Sequence, residues 1–281
     1  MAELHGHSTT TFAGLAAEDR GRSDDRPPLV LLHGLTLDRS MWLPALAELE
    51  EIDPERRVVA LDLPGHGQSP DAPPYDFGTL VERVHAAVLE AGLVDPVMVG
   101  HSLAAGVASV FAAQHETRGV IAVEGTLRVA GFAAMAQSLE PVLRGPGFDA
   151  AWSRITANVF RLDEVPPSVR EAVNAMARPR QEIVLGYWQD LFGRTPVELD
   201  AWVTRVTVSV RESGVPYVVL VGLAPSPEDE AWLKESLPEA RSLVWPGSGH
   251  FPQLAHPRRF AELLAETSSW APQSVVSPAL G

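Results

Sequence analysis

The 281-residue chain carries 22 lysines and arginines against 36 aspartates and glutamates, which gives a formal net charge of −14 at pH 7. A surface of this sign repels nucleic-acid backbones and anionic lipid, so we expect no nucleic-acid partner and favour a neutral substrate. The chain has no cysteine, which excludes disulfides, thiolate nucleophiles and cysteine-ligated metals. Its first residues lack the apolar core of a secretory signal, and no apolar run is long enough to span a bilayer. We therefore expect a cytoplasmic protein without a membrane segment.

Short apolar runs alternate along the chain with longer segments of helical periodicity. After the third run, Leu103, Val107, Val110 and Phe111 fall at i, i+4, i+7 and i+8, the spacing of one helix face. Continuous apolar runs are typical of buried parallel strands. The alternation predicts an α/β fold with a doubly wound, mostly parallel sheet. The six predicted strands are Pro28–His33, Val58–Leu63, Val97–Gly100, Gly119–Glu124, Val215–Gly222 and Arg241–Trp245.

The segment between about Leu127 and Thr204 has no strand-like run and is mostly helical in pattern. We interpret it as a lid of residues 127–204 inserted into a core formed by residues 1–126 and 205–281. Its aromatic residues either fill the core of the lid or contact an apolar substrate. Trp188 is our candidate for substrate contact, and both roles are open for it. The aromatic residues of this segment are Phe132, Trp152, Phe160, Tyr187, Trp188, Phe192 and Trp202.

The strand Val97–Gly100 leads through a sharp turn into a helix that begins at about Leu103, with Ser102 in the turn. Such a turn exposes the serine hydroxyl and needs small residues two positions before and after it, where the strand and helix backbones nearly touch. Gly100 and Ala104 meet that need, although glycine is commoner than alanine at the second position. The pattern favours a nucleophilic serine, and the alternative is a serine that caps the following helix.

Two further loops follow predicted strands. Gly34-Leu35 comes after the first strand, where the backbone N–H of Leu35 can turn towards Ser102. Together with the N–H of Leu103, at the start of a helix, it would hold an oxyanion. Late in the chain, a loop with two glycines presents His250 between the last strand and a helix. No other histidine lies in a strand-end loop so late in the sequence, so we predict that His250 is the base that activates Ser102.

Together these motifs resemble the α/β-hydrolase family. The resemblance implies the α/β-hydrolase fold, with a helical lid inserted after the sixth strand of the family's sheet, which is the fourth strand predicted here. It also implies an active site between lid and core. Serine at the turn indicates the serine hydrolase branch, since the related epoxide hydrolases and haloalkane dehalogenases use aspartate there. Short segments around Glu124, Trp188, Gly222 and His250 are also similar to the zearalenone-type lactone hydrolases. The family motifs are His33-Gly34, residues 62–69 (DLPGHGQS), residues 100–104 (GHSLA) and residues 249–252 (GHFP); we assign no catalytic role to Asp62 or His66.

Ser102 and His250 need a third residue, an acid that pairs with His250 to complete a catalytic triad, and this acid is harder to place. The family usually has it three residues after the glycine that ends the fifth predicted strand, but that position is Pro225, which cannot hold a histidine. Glu228 and Asp229 follow, although residues 226–229 (SPED) are typical of a capped helix start. Glu124 ends the fourth predicted strand, where the lactone hydrolases and certain dehalogenases carry their acid. We predict Glu124 as the acid, with Glu228 and Asp229 as alternatives and a solvated strand-end glutamate as the non-catalytic role.

These residues predict hydrolysis of a small apolar carboxylic ester or lactone, with no cofactor and no metal in the site. Two alternatives keep the fold: a cofactor-free oxygenase or lyase that uses His250 and its acid on substrate, and a ligand-binding homologue without turnover. The lyases of this fold use a lid lysine, whereas the single lysine here, Lys234, follows the fifth predicted strand. The sequence leaves open whether the lid also forms a homodimer interface.

Overall fold

The structure is a computed structural model that describes residues 8–125 and 127–271. Its strands are Ser8–Phe12 (β1), Leu15–Arg20 (β2), Leu29–Leu32 (β3), Val58–Leu61 (β4), Val97–His101 (β5), Gly119–Val123 (β6), Tyr217–Val221 (β7) and Arg241–Val244 (β8). They form one sheet in the order β1-β2-β4-β3-β5-β6-β7-β8. The pairs β1–β2 and β2–β4 are antiparallel and the other neighbours are parallel. The predicted mostly parallel sheet is therefore confirmed, and its six predicted strands are β3 to β8.

The N-terminal hairpin of β1 and β2 is absent from the six strands that the sequence predicted. Its two strands have the sequences STTTF and LAAEDR, which are too polar to stand out as apolar runs. They are joined at Ala13 and Gly14, which both have positive φ angles, of 48° and 79°, as a tight two-residue hairpin turn requires. A strand at the sheet edge is covered on fewer sides than a central one, so its sequence carries a weaker hydrophobic signal.

Twelve α-helices accompany the sheet in the described part of the chain. In those ranges, none is both long and apolar enough to cross a bilayer. They are Leu43–Ile52 (α1), Phe77–Glu90 (α2), Leu103–Gln114 (α3), Ala130–Leu143 (α4), Phe148–Phe160 (α5), Pro167–Met176 (α6), Gln181–Tyr187 (α7), Gln189–Gly193 (α8), Pro196–Ser213 (α9), Pro227–Ser236 (α10), Pro252–Ala255 (α11) and Pro257–Glu266 (α12).

Helices cover both faces of the sheet, and this explains the continuous apolar runs of the central strands. Successive residues of a strand point to opposite faces, so in β3 the side chains of Val30 and Leu32 enter one core while those of Leu29 and Leu31 enter the other. The first core includes residues of α2, α3 and α9, and the second includes residues of α1 and α12. Both faces of β3 are fully buried, as expected of a doubly wound sheet.

The connection between β6 and β7 carries the six helices α4 to α9, in the region where the sequence predicts the lid. The last of them, α9, begins with a reciprocal cap between Thr195 and Glu198 and ends at Gly214, whose φ is +66°. It contacts α4 within the insertion and α3 beside the sheet. The predicted boundary at residue 204 falls inside this continuous helix. The division into core and lid remains a prediction.

Candidate active site

Ser102 lies in a strained turn between β5 and α3. Its φ and ψ angles are 55° and −122°, in a region that residues with a side chain rarely occupy. The turn brings strand and helix so close that a Cβ on Gly100 would lie 2.1 Å from the carbonyl oxygen of Ala104, which explains why residue 100 is glycine. Ser102 stands at the cap position of α3, but its side chain makes no capping hydrogen bond. Its hydroxyl is therefore not used by the helix, and Ser102 lines a cavity instead.

Glu124 directly follows β6, the neighbour of β5, and also has a positive φ, of 51°. One carboxylate oxygen accepts a short hydrogen bond from the backbone N–H of Gly222, at the end of β7. The other accepts from Nδ1–H of His250 at 3.0 Å. The side chains of Glu124 and His250 are only 9% and 8% exposed, so this contact is weakly screened by solvent. The carboxyl ends of three adjacent parallel strands thus bring Ser102, Glu124 and the Gly222 N–H to one edge of the sheet.

His250 is held on all sides by its neighbours. Its backbone N–H donates to the carbonyl of Phe160 at 3.1 Å, and its carbonyl accepts from Nε2–H of His101 at 2.8 Å. The ring of Phe160 stacks on the imidazole with centroids 5.8 Å apart and a 15° angle. Nδ1 is directed to Glu124, whereas Nε2 is buried without a hydrogen-bond partner among the described residues. With the proton on Nδ1, Nε2 is a free acceptor, as a general base requires.

The predicted oxyanion donors, Leu35 and Leu103, both line the same cavity as Ser102. The carbonyl of Gly34 accepts from Nδ1–H of His33 at 2.8 Å, while Nε2 of His33 accepts from the N–H of Leu63 at 2.9 Å. In the planar trans peptide between Gly34 and Leu35, the N–H of Leu35 points in the opposite direction to the carbonyl of Gly34, and so away from His33 Nδ1. The N–H of Leu103 belongs to the first residue of α3 and has no partner within the helix.

Burial lowers the pKa of His33 from 6.5 to about 4, so its imidazole is uncharged when it holds this loop. A neutral imidazole can donate through one nitrogen and accept through the other, as the loop requires. The loop also lies directly against the turn of Ser102: a Cβ on Gly34 would be 2.5 Å from Nδ1 of His101 and 3.4 Å from Cβ of Ser102. The position of Leu35 relative to Ser102 is therefore determined by backbone packing.

The cavity that Ser102 lines has a volume of about 290 Å³. Ser102, Glu124 and His250 all line it. Asp190 and Arg194 also line it, but they pair with each other at 2.9 Å, so the wall carries no unpaired charge there. The apolar lining residues are Leu35, Phe77, Leu103, Leu127, Val129, Phe132, Trp152, Ile155, Val159, Phe160, Trp188, Leu191, Leu199 and Trp202.

Trp188 both lines this cavity and packs within the helical insertion. It is 3% exposed, and its ring contacts Phe132, Trp152 and Phe192 with centroids 5.2, 5.5 and 6.2 Å apart. The two roles that the sequence left open for Trp188 are therefore compatible in this position. Tyr187, next to it, faces another way and donates its hydroxyl to the carbonyl of Pro64 at 2.8 Å, a contact between insertion and core.

Sequence reasoning missed Arg161, which reaches the site from the helical insertion. It ends α5 with a φ of 48°. Its guanidinium donates to the carbonyl of Gly249 at 2.8 Å and lies 3.8 Å from the carboxylate of Glu124. Phe160 and His101, which hold His250, were missed as well. Phe160 is one of the aromatic residues of the predicted lid and His101 belongs to the 100–104 motif, but no local pattern predicts these contacts, because Gly249 and His250 lie about 90 to 150 positions away in the chain.

The alternative acids lie at the start of α10 and not beside His250. Ser226 caps this helix by accepting from the N–H of Asp229, as the sequence predicts. Asp229 pairs with Arg128 at 2.8 Å, and Glu228 is 83% exposed at 3.8 Å from the same arginine. In the 62–69 loop, Asp62 accepts from the N–H of Arg39 and pairs with its guanidinium. Among the described residues, only Glu124 places a carboxylate oxygen within hydrogen-bond distance of His250.

Comparisons with known proteins agree with this architecture. A chain from Escherichia coli strain K12, named "Putative carbamate hydrolase RutD", is 28% identical over 251 residues, which are 85% of this chain and 90% of that one. A thermophilic esterase from Thermogutta terrifontis is 25% identical and superposes with a TM-score of 0.68 over 90% of this chain and 92% of that chain.

The haloalkane dehalogenase DbeA from Bradyrhizobium elkani USDA94 shares the fold, at a TM-score of 0.70 and 20% identity over 94% of this chain and 99% of that chain. The sequence model of the alpha/beta hydrolase family matches residues 29–263. This range contains every strand except the N-terminal hairpin, and all the residues of the candidate site. The chain belongs to the alpha/beta hydrolase family.

Proposed function

We propose that the chain is a serine hydrolase that cleaves a carboxylic ester or a lactone through an acyl-enzyme on Ser102. One observation carries the proposal: Nδ1 of His250 donates to Glu124 at 3.0 Å, while its Nε2 is unused by the described residues, and His250 lines the same cavity as Ser102. This is the arrangement in which an imidazole can accept a proton from a serine hydroxyl.

In the proposed reaction, Oγ of Ser102 attacks the substrate carbonyl carbon and Nε2 of His250 takes its proton. The resulting oxyanion accepts hydrogen bonds from the N–H groups of Leu35 and Leu103. Glu124 stays ionised, holds the imidazole in the correct tautomer and stabilises the imidazolium. The imidazolium then protonates the leaving alkoxide, which departs as the alcohol or, in a lactone, remains attached to the acyl chain. Water, activated by His250, releases the acid and restores Ser102.

The cavity supports a substrate that is small, neutral and apolar. Its wall is mostly aliphatic and aromatic. Apart from Glu124, the charged residues that line it among the described residues, Asp190 and Arg194, pair with each other. A carbamate, as in the name of the Escherichia coli relative, offers an acyl carbon open to the same attack. The aromatic side chains of Phe132, Trp152 and Trp188 favour a ring-containing ester or lactone instead. In this proposal residues 127–204 act as the lid, because most of the apolar wall comes from them.

The proposal is tested by covalent labelling with a fluorophosphonate probe, which reacts with activated serines. We expect one equivalent of label on Ser102, with loss of p-nitrophenyl ester turnover in proportion to labelling. Ser102→Ala should neither be labelled nor turn over ester, while its thermal unfolding stays close to wild type. Ser268→Ala, which changes an exposed serine near the end of the described chain, is the matched control and should be labelled normally.

The same experiment separates the other functions that the sequence left open. An oxygenase or lyase would keep its activity when Ser102 is blocked, because His250 and Glu124 alone would act on the substrate. A ligand-binding homologue would turn over no ester at all. Ester turnover by Ser102→Ala within tenfold of wild type would end the proposal.

A further inference from the structure

Three side chains on the helices behind the cavity form a cluster that the reaction does not use. Glu82 and His85 lie three residues apart on α2 and therefore share a helix face. His115 directly follows the last residue of α3, and α2 and α3 pack against each other. A potential ligand atom of each of the three residues lies within 4.8 Å of the others.

The two imidazoles of this cluster have little else to bind. Their rings stack with centroids 3.7 Å apart and a 20° angle, with Phe111 against both. Nε2 of His115 is buried without a hydrogen-bond partner in the described ranges, and it lies 3.6 Å from the carboxylate of Glu82. A neutral imidazole has a free lone pair, which is the form that binds a metal.

We propose that Glu82, His85 and His115 form a binding site for one borderline divalent cation of the Zn²⁺ class. Two imidazoles and one carboxylate are a donor set that suits Zn²⁺, with water in the fourth position. Ca²⁺ and Mg²⁺ take mainly oxygen ligands, so this set does not suit them. No short sequence motif marks this site, because His115 is 30 residues from His85.

Binding requires only a small rearrangement of side chains. Ligand atoms at about 2.0–2.2 Å from a tetrahedral Zn²⁺ are about 3.4 Å apart, so donors now within 4.8 Å must close by no more than about 1.5 Å. The lone pair of an imidazole lies in the plane of its ring, and the planes of His85 and His115 are nearly parallel, so one ring must tilt to meet the metal. His85 is half-buried, and the Glu82 side chain is 66% exposed. Both can move without breaking a hydrogen bond in the part of the chain that the structure describes.

The site would stabilise the fold and would not take part in the chemistry. Helix α3 runs from Leu103, next to Ser102, to Gln114, next to His115. Twelve residues at about 1.5 Å each place the cluster about 18 Å from the turn of Ser102. A metal there links the middle of α2 to the end of α3, two helices whose first residues, Phe77 and Leu103, line the cavity. Because metal bound to the folded state alone favours that state, it should raise the melting temperature.

The test is a zinc titration by calorimetry. His5 and His7 are close enough in sequence to bind metal by themselves, so the parent protein carries His5→Gln and His7→Gln. We expect one equivalent of Zn²⁺ to bind and to raise the melting temperature, with no displacement by Ca²⁺ or Mg²⁺. Glu82→Gln and His85→Gln should each weaken binding at least tenfold and lose the thermal shift. Both are at partly or fully exposed positions, so they decide the matter even if His115→Gln fails to fold.

Two controls locate the bound metal. Glu116→Gln changes an exposed carboxylate beside His115 that is outside the cluster, and His250→Gln removes the imidazole of the active site. Both should bind Zn²⁺ like the parent. Loss of binding in His250→Gln together with parent-like affinity in Glu82→Gln and His85→Gln would overturn the proposal, as would failure of the parent to bind zinc below millimolar concentration.

Discussion

Exchanging Glu124 for glutamine is the sharpest test of the proposed catalytic arrangement, because it keeps the shape of the side chain. Both carboxylate oxygens now accept from N–H donors, one from Gly222 and one from His250. An amide has only one acceptor oxygen, so its NH₂ group must face one of these donors. If it faces Nδ1 of His250, the imidazole moves its proton to Nε2 and can no longer take the proton of Ser102.

The size of the effect follows from the lost charge. At an effective dielectric constant of about 20, a carboxylate and an imidazolium about 4 Å apart attract each other by about 4 kcal/mol. Converted into a rate, this is about 10³-fold in kcat. The matching aspartate-to-asparagine change in serine proteases, where the tautomer is also lost, costs about 10⁴-fold. We therefore expect Glu124→Gln to lose about 10³- to 10⁴-fold in kcat, with a smaller change in KM.

The measurement is the initial rate on p-nitrophenyl esters, with circular dichroism to show that the variant is folded. Glu228→Gln and Asp229→Asn are the matched controls, since these acids belong to the exposed start of α10, and both should keep near wild-type rates. If folded Glu124→Gln stays within tenfold of wild type while one of the controls collapses, the assignment of the acid is refuted.

Three further predictions follow from neighbouring contacts. Arg161→Met removes the guanidinium from Glu124 and Gly249. We expect kcat to fall about tenfold with KM unchanged, and Arg161→Lys to recover part of the loss. An equal rise in KM would contradict a positioning role for Arg161. Trp188→Ala should cost about 3–5 kcal/mol of unfolding free energy and slow aromatic esters more than short aliphatic ones, whereas unchanged relative rates would leave Trp188 a packing residue only. Burial lowers the pKa of His33 to about 4 and that of His66 to about 3, below the usual 6.5, so between pH 6.5 and 4 the unfolded chain binds more protons than the folded chain. Urea unfolding should therefore show full stability above pH 6.5 and a loss of up to about 1.4 kcal/mol per pH unit per histidine towards pH 4. An unfolding free energy that stays constant from pH 7 to 5 would argue against buried neutral histidines.

The parts of the site that the sequence could predict are those with a local signature. Ser102 and His250 stand in glycine-containing turns at strand ends, and a parallel sheet gathers such ends at one edge. Glu124 was favoured because Pro225 occupies the usual position of the acid, and the structure places its carboxylate on His250. The alternation of strands and helices along the chain, and the burial of the central strands between layers of helices, also follow from patterns of apolar residues.

What the sequence could not show depends on contacts between distant segments. The N–H of His250 is held by Phe160 of the insertion, and nothing in the residues around either position announces that pairing. The sequence does not predict the N-terminal hairpin because its two strands contain too many polar residues to form apolar runs. The boundary predicted at residue 204 falls inside α9, because this helix passes from the insertion to the core without a break in its helical pattern.

The continuity of α9 limits how a substrate can enter. Its 18 residues form a rod of about 27 Å, capped at both ends and without glycine or proline inside, so it offers no point at which to bend. Val206 and Val210, in the C-terminal half of α9, pack in the core. The insertion therefore cannot rotate as one unit about this connection. We expect any widening of the cavity to involve the shorter helices α4, α5 and α8, whose residues also line it. Substitutions at their mutual contacts should change the rate of substrate admission, whereas stiffening α9 should leave it unaltered.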